Sequence, residues 1–258
     1  MHVETTGNEG VEQKRLLLRQ STGNKLTAML QVRNEEGRYL EAVLADLSSF
    51  VDEIVIVDDA SSDGTAELCR SFPKVVKLVC LEQPLFAEEW KLRKRLWDEA
   101  AATSPDWLLA VDADELYETR AKQQIRELIN QDRYDWIACR LYDFWGSLSH
   151  YREDEWWNLH KRHTMTLVRY LPGYPYAYPM WDHHVPRLPV TCSALQGLRT
   201  ELRVKHLGWA GSEEERLAKF ERYMKLDPDG RWGSLAHYAS ILDTDPHLVR
   251  WREEESER

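Results

Sequence analysis

Three apolar runs of strand length, each closing on a polar cluster, constrain this chain more than any other feature. Leu26–Val32 stops at Arg33-Asn34-Glu35-Glu36, Ile54–Val57 at Asp58-Asp59, and Trp107–Val111 at Asp112-Ala113-Asp114-Glu115. The last run is entered through Ser104-Pro105-Asp106 and is apolar throughout, the pattern of a strand buried on both faces. Between the runs, Leu40, Val43, Leu44, Leu47 and Phe50 keep helical spacing. Val75–Leu81 reads as a further strand, and Trp90, Leu96, Trp97 and Ala100 mark a longer helix before the Trp107 run. Strand and helix in strict order imply right-handed parallel crossovers and a doubly wound α/β sheet. The carboxyl ends of parallel strands share one edge, so the polar clusters should meet in one cleft. Asp112 and Asp114 would repel each other there unless a cation lay between them, and oxygen ligands suit Mg²⁺ or Mn²⁺. Taken alone, the same tetrapeptide also reads as a solvated acidic turn.

The 258 residues suffice for one large α/β domain. A formal charge of −10 argues against an extended nucleic-acid surface or an anionic membrane patch. Cys69, Cys80, Cys139 and Cys192 show no CxxC spacing and read as reduced thiols. With no apolar stretch of about 18 residues and no signal-peptide pattern, the expectation is a cytoplasmic protein without an integral membrane segment. Loose peripheral attachment stays open. Residues 1–24 read as a mobile arm, with a short helical turn around Leu16 to Leu18, and 25–258 as one domain. Within it, 25–142 forms a regular half, with a helix at Ile125, Leu128 and Ile129 and a strand over Trp136–Tyr142. The half from 143 to 258 is loop-rich and aromatic. It has a strand around Leu202–His206, a helix over Ser212–Leu226 and an exposed helical end after Pro246. Most of the eleven tryptophans and eleven tyrosines should fill core. Trp156-Trp157 and Tyr174-Pro-Tyr-Ala-Tyr178 lie in loop-like sequence, where flat rings could face sugars.

No GxGxxG follows the first strand and no GxxxxGK[ST] occurs, which argues against a dinucleotide dehydrogenase and a P-loop nucleotidase. The segments Gln31-Val-Arg-Asn-Glu-Glu36, Ile54-Val-Ile-Val-Asp-Asp-Ala-Ser-Ser-Asp-Gly-Thr65 and Leu108-Leu-Ala-Val-Asp-Ala-Asp-Glu115 together resemble the family-2 glycosyltransferases. That resemblance implies a GT-A fold and transfer of a sugar from a nucleotide diphosphate donor, UDP-sugar first among them. It implies that Gln31, Arg33, Asn34 and Glu35 line the nucleobase pocket and that Asp59 accepts a hydrogen bond from the base. Asp112, with Ala113 beside it, would face the ribose or the metal, and Asp114 would ligate Mn²⁺ or Mg²⁺.

Where many members carry Asn-x-Gly this chain has Gln83 to Arg95, in which Arg93 either reaches the donor or belongs to a solvated basic face. His206, in Arg203-Val-Lys-His-Leu-Gly-Trp209, resembles a late metal-ligating histidine, against the plainer reading of a hydrogen-bonded structural one. Inverting transfer needs a carboxylate base near the acceptor hydroxyl. Asp182 in Trp181-Asp-His-His184 is the candidate, with His183 or His184 positioning acceptor or diphosphate, and Asp143, Asp154, Glu155 and Glu115 as alternatives. The acceptor is left open among a glycan, a lipid-linked intermediate, a peptide and a small molecule. Two other readings are a non-catalytic GT-A scaffold that binds nucleotide sugar or carbohydrate, and a sugar-1-phosphate nucleotidyltransferase. The latter lacks its glycine-rich loop here.

Overall fold

The computed structural model describes residues 19–231 and 233–253. Strands β1 (Leu26–Val32), β2 (Glu53–Asp58), β3 (Val75–Cys80) and β4 (Trp107–Ala110) alternate with helices α1 (Leu40–Ser48), α2 (Thr65–Arg70) and α3 (Glu89–Ala101). The strands pair in parallel in the order β3-β2-β1-β4, with Val32 opposite Asp58 and Met29 opposite Ala110. Side chains alternate across the sheet. Leu26, Ala28, Leu30, Ile54, Ile56 and Leu109 pack on one face with Leu40, Val43, Leu44 and Leu47 of α1. Met29, Val55, Val57, Leu108 and Ala110 pack on the other with Leu92, Leu96 and Trp97 of α3. Coverage on both faces is why these strands read as unbroken apolar runs.

Beyond β4 the sheet turns antiparallel. After β5 (Glu115–Tyr117) and α4 (Thr119–Leu128) come β6 (Trp136–Trp145), β7 (His150–Arg152) and β8 (Thr164–Arg169). β8 pairs with β4, β6 with β8, and β7 with β6. The long β9 (Gly197–Trp209) runs parallel to β6 and antiparallel to β5. Its register sets His206 opposite both Glu115 and Asp143. Helices α5 (Glu213–Leu226) and α6 (Leu235–Ala239) and strand β10 (Leu248–Arg250) close the chain.

The end after Pro246 is therefore a strand, not the expected helix. The edge of β7 offers unpaired backbone groups, which β10 satisfies through the pairs Leu248–Arg152 and Arg250–His150. Trp251 then packs on Tyr142 and Phe144 at 5.1 and 5.3 Å between ring centroids. Of the expected arm, residues 1–18, including the turn at Leu16 to Leu18, lie outside the described residues. Residues 19–24 are tied down: Arg19 donates twice to the buried Asp135 at 3.0 and 2.6 Å, and Asn24 donates to Asn130. Among the described residues no helix is long and apolar enough to cross a membrane.

Helix α5 starts on a reciprocal cap. The Ser212 hydroxyl accepts from Glu215 N–H and the Glu215 carboxylate accepts from Ser212 N–H. Ser212→Ala should cost about 1 kcal/mol, a fall in Tm of roughly 2–4 °C, which differential scanning calorimetry would read.

Candidate functional site

The loops after β1 and β2 interlock. Asn34 stands at φ 52°, a left-handed conformation that asparagine tolerates. Its Oδ1 accepts from Ser62 N–H at 2.9 Å, and its own N–H donates to Ser61 Oγ at 2.9 Å. Glu35 N–H donates to Thr65 Oγ1 and Glu36 N–H to Asp63. Asp63 also accepts from Thr65 N–H and Oγ1, and Asp58 accepts from Ser61 N–H and Oγ. These two carboxylates shape the turn ahead of α2, which starts at Thr65. Asp59 is buried, accepts from the N–H groups of Leu85 and Phe86 at 2.5 and 3.2 Å, and lies 3.6 Å from Arg33.

At the end of β4 the two aspartates have different surroundings. Asp112 is gripped by guanidinium groups, Arg187 at 2.9 Å and Arg93 at 3.5 Å. Burial opposes its ionisation, but the two arginines outweigh burial and hold its carboxyl below the usual range. Arg187 also makes two contacts to the fully buried Glu115, at 2.6 and 2.7 Å. Burial pushes the Glu115 carboxyl up, with the neighbouring Arg187 opposing it. Arg93 is braced by Glu89, whose other carboxylate oxygen accepts from Val185 N–H at 3.1 Å. Glu89 N–H donates to the Asp182 carbonyl. The segment 182–187 is thereby pinned to α3.

Asp114 faces His206 Nε2 at 3.7 Å, and His206 Nδ1 meets Asp143 Oδ1 at 2.6 Å. Burial disfavours the charged imidazole, but Asp114 and the hydrogen bond to Asp143 overcome it and push the pKa up to about 9. Gly208 leaves the space beside this pair clear. A Cβ there would lie 2.7 Å from His206 Nε2 and 2.9 Å from Asp114 Oδ2.

These groups share a cavity of about 1240 Å³. Gln31, Arg33, Asn34, Glu35 and Asp59 line it, as do Arg93, Asp112, Ala113, Asp114 and His206. Asp112, Asp114 and His206 do not form one ligand cluster, however. Among the described residues no three His, Cys, Asp or Glu side chains could hold a metal by themselves. Asp112 is taken up by Arg187 and Arg93, leaving Asp114 and His206 as a pair.

Asp182 is exposed and off the lining, whereas His183 and His184 are on it. Of the alternative carboxylates, Glu115 is bound by Arg187, Asp143 by His206, and Asp154 by Arg152 and the Trp156 and Trp157 N–H groups. Glu155 is exposed.

The loop aromatics do not face the cavity. Tyr176 packs on Trp97 at 4.5 Å, and the Tyr174 and Tyr178 hydroxyls donate to the Thr191 and Arg187 carbonyls. Trp157 is buried between Trp145 and Trp209. Tyr174, Tyr176, Tyr178 and Trp157 each find a partner for the polar tip within the protein and are drawn inward, whereas Trp156 stays exposed. Trp209, Tyr223, Tyr238 and Phe86 line the cavity instead. Sequence reasoning also missed Arg187 and Lys219. Arg187 sits in the proline-flanked run Pro186-Arg-Leu-Pro189, where no periodicity points to a partner. Lys219 lines the cavity, donates to the Gly208 carbonyl and lies 4.8 Å from the Trp209 ring. Burial lowers its pKa, with the Asp114 carboxylate opposing that shift.

The family model described as glycosyl transferase family 2 matches residues 28–194, from β1 through the segment that carries Arg187. An uncharacterized protein of Mycobacterium tuberculosis is 29% identical over 228 residues, covering 84% of this chain and 54% of that protein. An uncharacterized glycosyltransferase of Rickettsia bellii is 30% identical over 117 residues, 43% of this chain and 35% of its own. The chain thus spans about half the length, or less, of these relatives. S. aureus TarS 1-349, solved in complex with UDP-GlcNAc, shares the fold with a TM-score of 0.54 at 16% identity, covering 84% of this chain and 70% of that one. The family match covers most of the chain, including all three polar strand ends: this protein belongs to glycosyl transferase family 2.

Proposed function

We propose that the cavity transfers a sugar from a UDP-sugar to an acceptor hydroxyl, with a divalent cation, Mn²⁺ or Mg²⁺, and with inversion at the anomeric carbon. The observation that carries this reading is the Asp114–His206 pair, backed by Asp143, in one cavity with the β1 and β2 loops. Asp114 and His206 fit such a cation as a two-ligand half-site. Carboxylate and imidazole both suit Mn²⁺, and the donor's oxygens and water would supply the rest. A carboxylate behind a ligating histidine orients the ring and makes it more basic, and the space kept clear by Gly208 adjoins both groups. When bound, the ion offsets charge that develops on the departing diphosphate.

Gln31, Arg33, Asn34, Glu35 and Asp59 would hold the uridine. Gln31 Oε1 is buried with no hydrogen-bond partner among the described residues, as suits an acceptor kept for a ligand N–H. Asp59 accepts two backbone N–H groups, and a carboxylate has acceptor capacity beyond two. Asp112 would face the ribose, with Arg93, Arg187 and Lys219 as fixed positive charges for the diphosphate. Asp182 remains our candidate base. Its side chain has no hydrogen bond or ion pair among the described residues, and His183 and His184 beside it line the cavity. The TarS complex, of the same fold, supports a UDP-sugar as donor class.

Calorimetric titration of UDP with Mn²⁺ and again with excess chelator tests the reading. Binding is expected only with the metal. Metal-indifferent binding would end the metal assignment, and no binding would end the donor assignment. Gly208→Ala should fill the space between His206 and Asp114 and weaken metal-dependent UDP binding at least about tenfold with the fold intact. Unchanged affinity in the same titration would show that the pair does not act together.

A further inference from the structure

Helix α5 forms one wall of the cavity, and its charges are sorted. None of its acids, Glu213, Glu214, Glu215 and Glu221, lines the cavity, whereas three of its four cations, Lys219, Arg222 and Lys225, do; the fourth, Arg216, donates to the Gly211 carbonyl instead. The helix dipole accounts for acids in the first turn and a cation in the last, but not for cations facing the cavity in a chain of net charge −10. The other lining cations are engaged: Arg33 with Asp59, Arg38 with Glu35, Arg93 and Arg187 with Asp112, and Lys219 with the Gly208 carbonyl. Arg222 and Lys225 are exposed and meet no carboxylate among the described residues. Arg222 lies 5.6 Å from the Tyr223 ring. The next acid along the chain, Asp227, is buried, and its carboxylate accepts from Arg231 N–H, Gly233 N–H and the Tyr238 hydroxyl.

Neither Arg222 nor Lys225 is bound by a carboxylate among the described residues, and both stand further along α5 than Lys219. Lys219 is near enough to Asp114 for that carboxylate to oppose the burial that lowers its pKa. Arg222 and Lys225 follow it by roughly 4.5 and 9 Å along the helix axis at about 1.5 Å per residue. A cavity of about 1240 Å³ exceeds the roughly 300–1,000 Å³ of a single small-ligand site, so a second ligand can lie beside the donor.

We infer that Arg222 and Lys225 bind a phosphate group on the acceptor, which makes the acceptor a phosphate-bearing hydroxyl compound; this rests on the donor site proposed above. An arginine fork and a lysine point charge are a suitable pair for a phosphate. The source that must be told apart is the donor's own diphosphate.

The test uses the protein saturated with UDP and Mg²⁺, titrated with glycerol 3-phosphate and with glycerol as the neutral counterpart, by ligand-detected NMR. Saturable binding is expected for glycerol 3-phosphate alone, weakening as salt is raised. Arg222→Gln with Lys225→Gln should weaken it at least about tenfold and leave UDP affinity within about twofold. Both residues are exposed, so the double variant should fold. Equal binding of glycerol, no binding of the phosphate, or indifference to the double substitution would overturn the inference. So would a parallel loss of UDP affinity, which would assign the two cations to the donor's diphosphate. Failure of the unsubstituted protein to bind UDP would instead overturn the donor site, and this assignment with it.

Discussion

Asp114→Ala is expected to abolish metal-dependent UDP binding, raising Kd by more than about 100-fold. Loss of a residue that merely supports a ligand already costs about 10–100-fold in metal affinity, and Asp114 is one of only two side chains we assign to the ion. The substitution should leave the fold alone. Asp114 is part-exposed, and the backbone bond from Leu207 N–H to its carbonyl does not depend on the side chain. Tm should therefore move by only a few degrees while the calorimetric signal disappears. Asp143→Asn should fall between the two, at about 10–100-fold, because it acts by orienting His206. An Asp114→Ala protein that still bound UDP and still needed Mn²⁺ to do so would move the ion elsewhere in the cavity.

Arg187→Met should produce the largest loss of stability. Arg187 is the cation between Asp112 and Glu115, and the Glu115 carboxylate is fully buried. Removing one partner of a buried ion pair costs about 3–5 kcal/mol, because the other charge is left without compensation. At roughly 2–4 °C per kcal/mol for a domain of this size, Tm should fall by about 6–20 °C. Glu115→Gln added to Arg187→Met should recover part of that loss, since the stranded charge is gone, and the non-additivity should exceed about 1 kcal/mol. Thermal unfolding of the three variants reads both effects. Additive losses would mean that the two side chains do not depend on each other. The same substitution removes a charge proposed for the diphosphate, so UDP binding should weaken as well.

The parallel half of the sheet was legible because its signals are local. Leu26–Val32 coincides with β1 residue for residue, and the apolar spacing from Leu40 to Leu47 coincides with the buried face of α1. The second half was harder to read. β6, expected over Trp136–Tyr142, continues to Trp145, and β9 extends well beyond the Leu202–His206 core expected for it. β10 exists only because β7 leaves an edge to pair with. The loop aromatics misled for a related reason. Tyrosines among prolines look exposed in sequence, yet here the Tyr174 and Tyr178 hydroxyls donate to backbone carbonyls and the Tyr176 and Tyr178 rings pack on the core beneath them.

The sequence by itself determined that three strands end in polar clusters, and the rule that parallel strand ends share an edge was enough to bring Gln31, Arg33, Asp59, Asp112 and Asp114 to one cavity. Tertiary structure alone decided how the two aspartates divide. Asp112 is met by Arg187 and Arg93, and Asp114 by His206, because β9 pairs with β5 and because Glu89 anchors the loop that carries Arg187. Those contacts join residues far apart in the chain through backbone register and loop anchoring. Hydrophobic periodicity records which face of an element is buried, and it holds no information about which distant charge a carboxylate will meet.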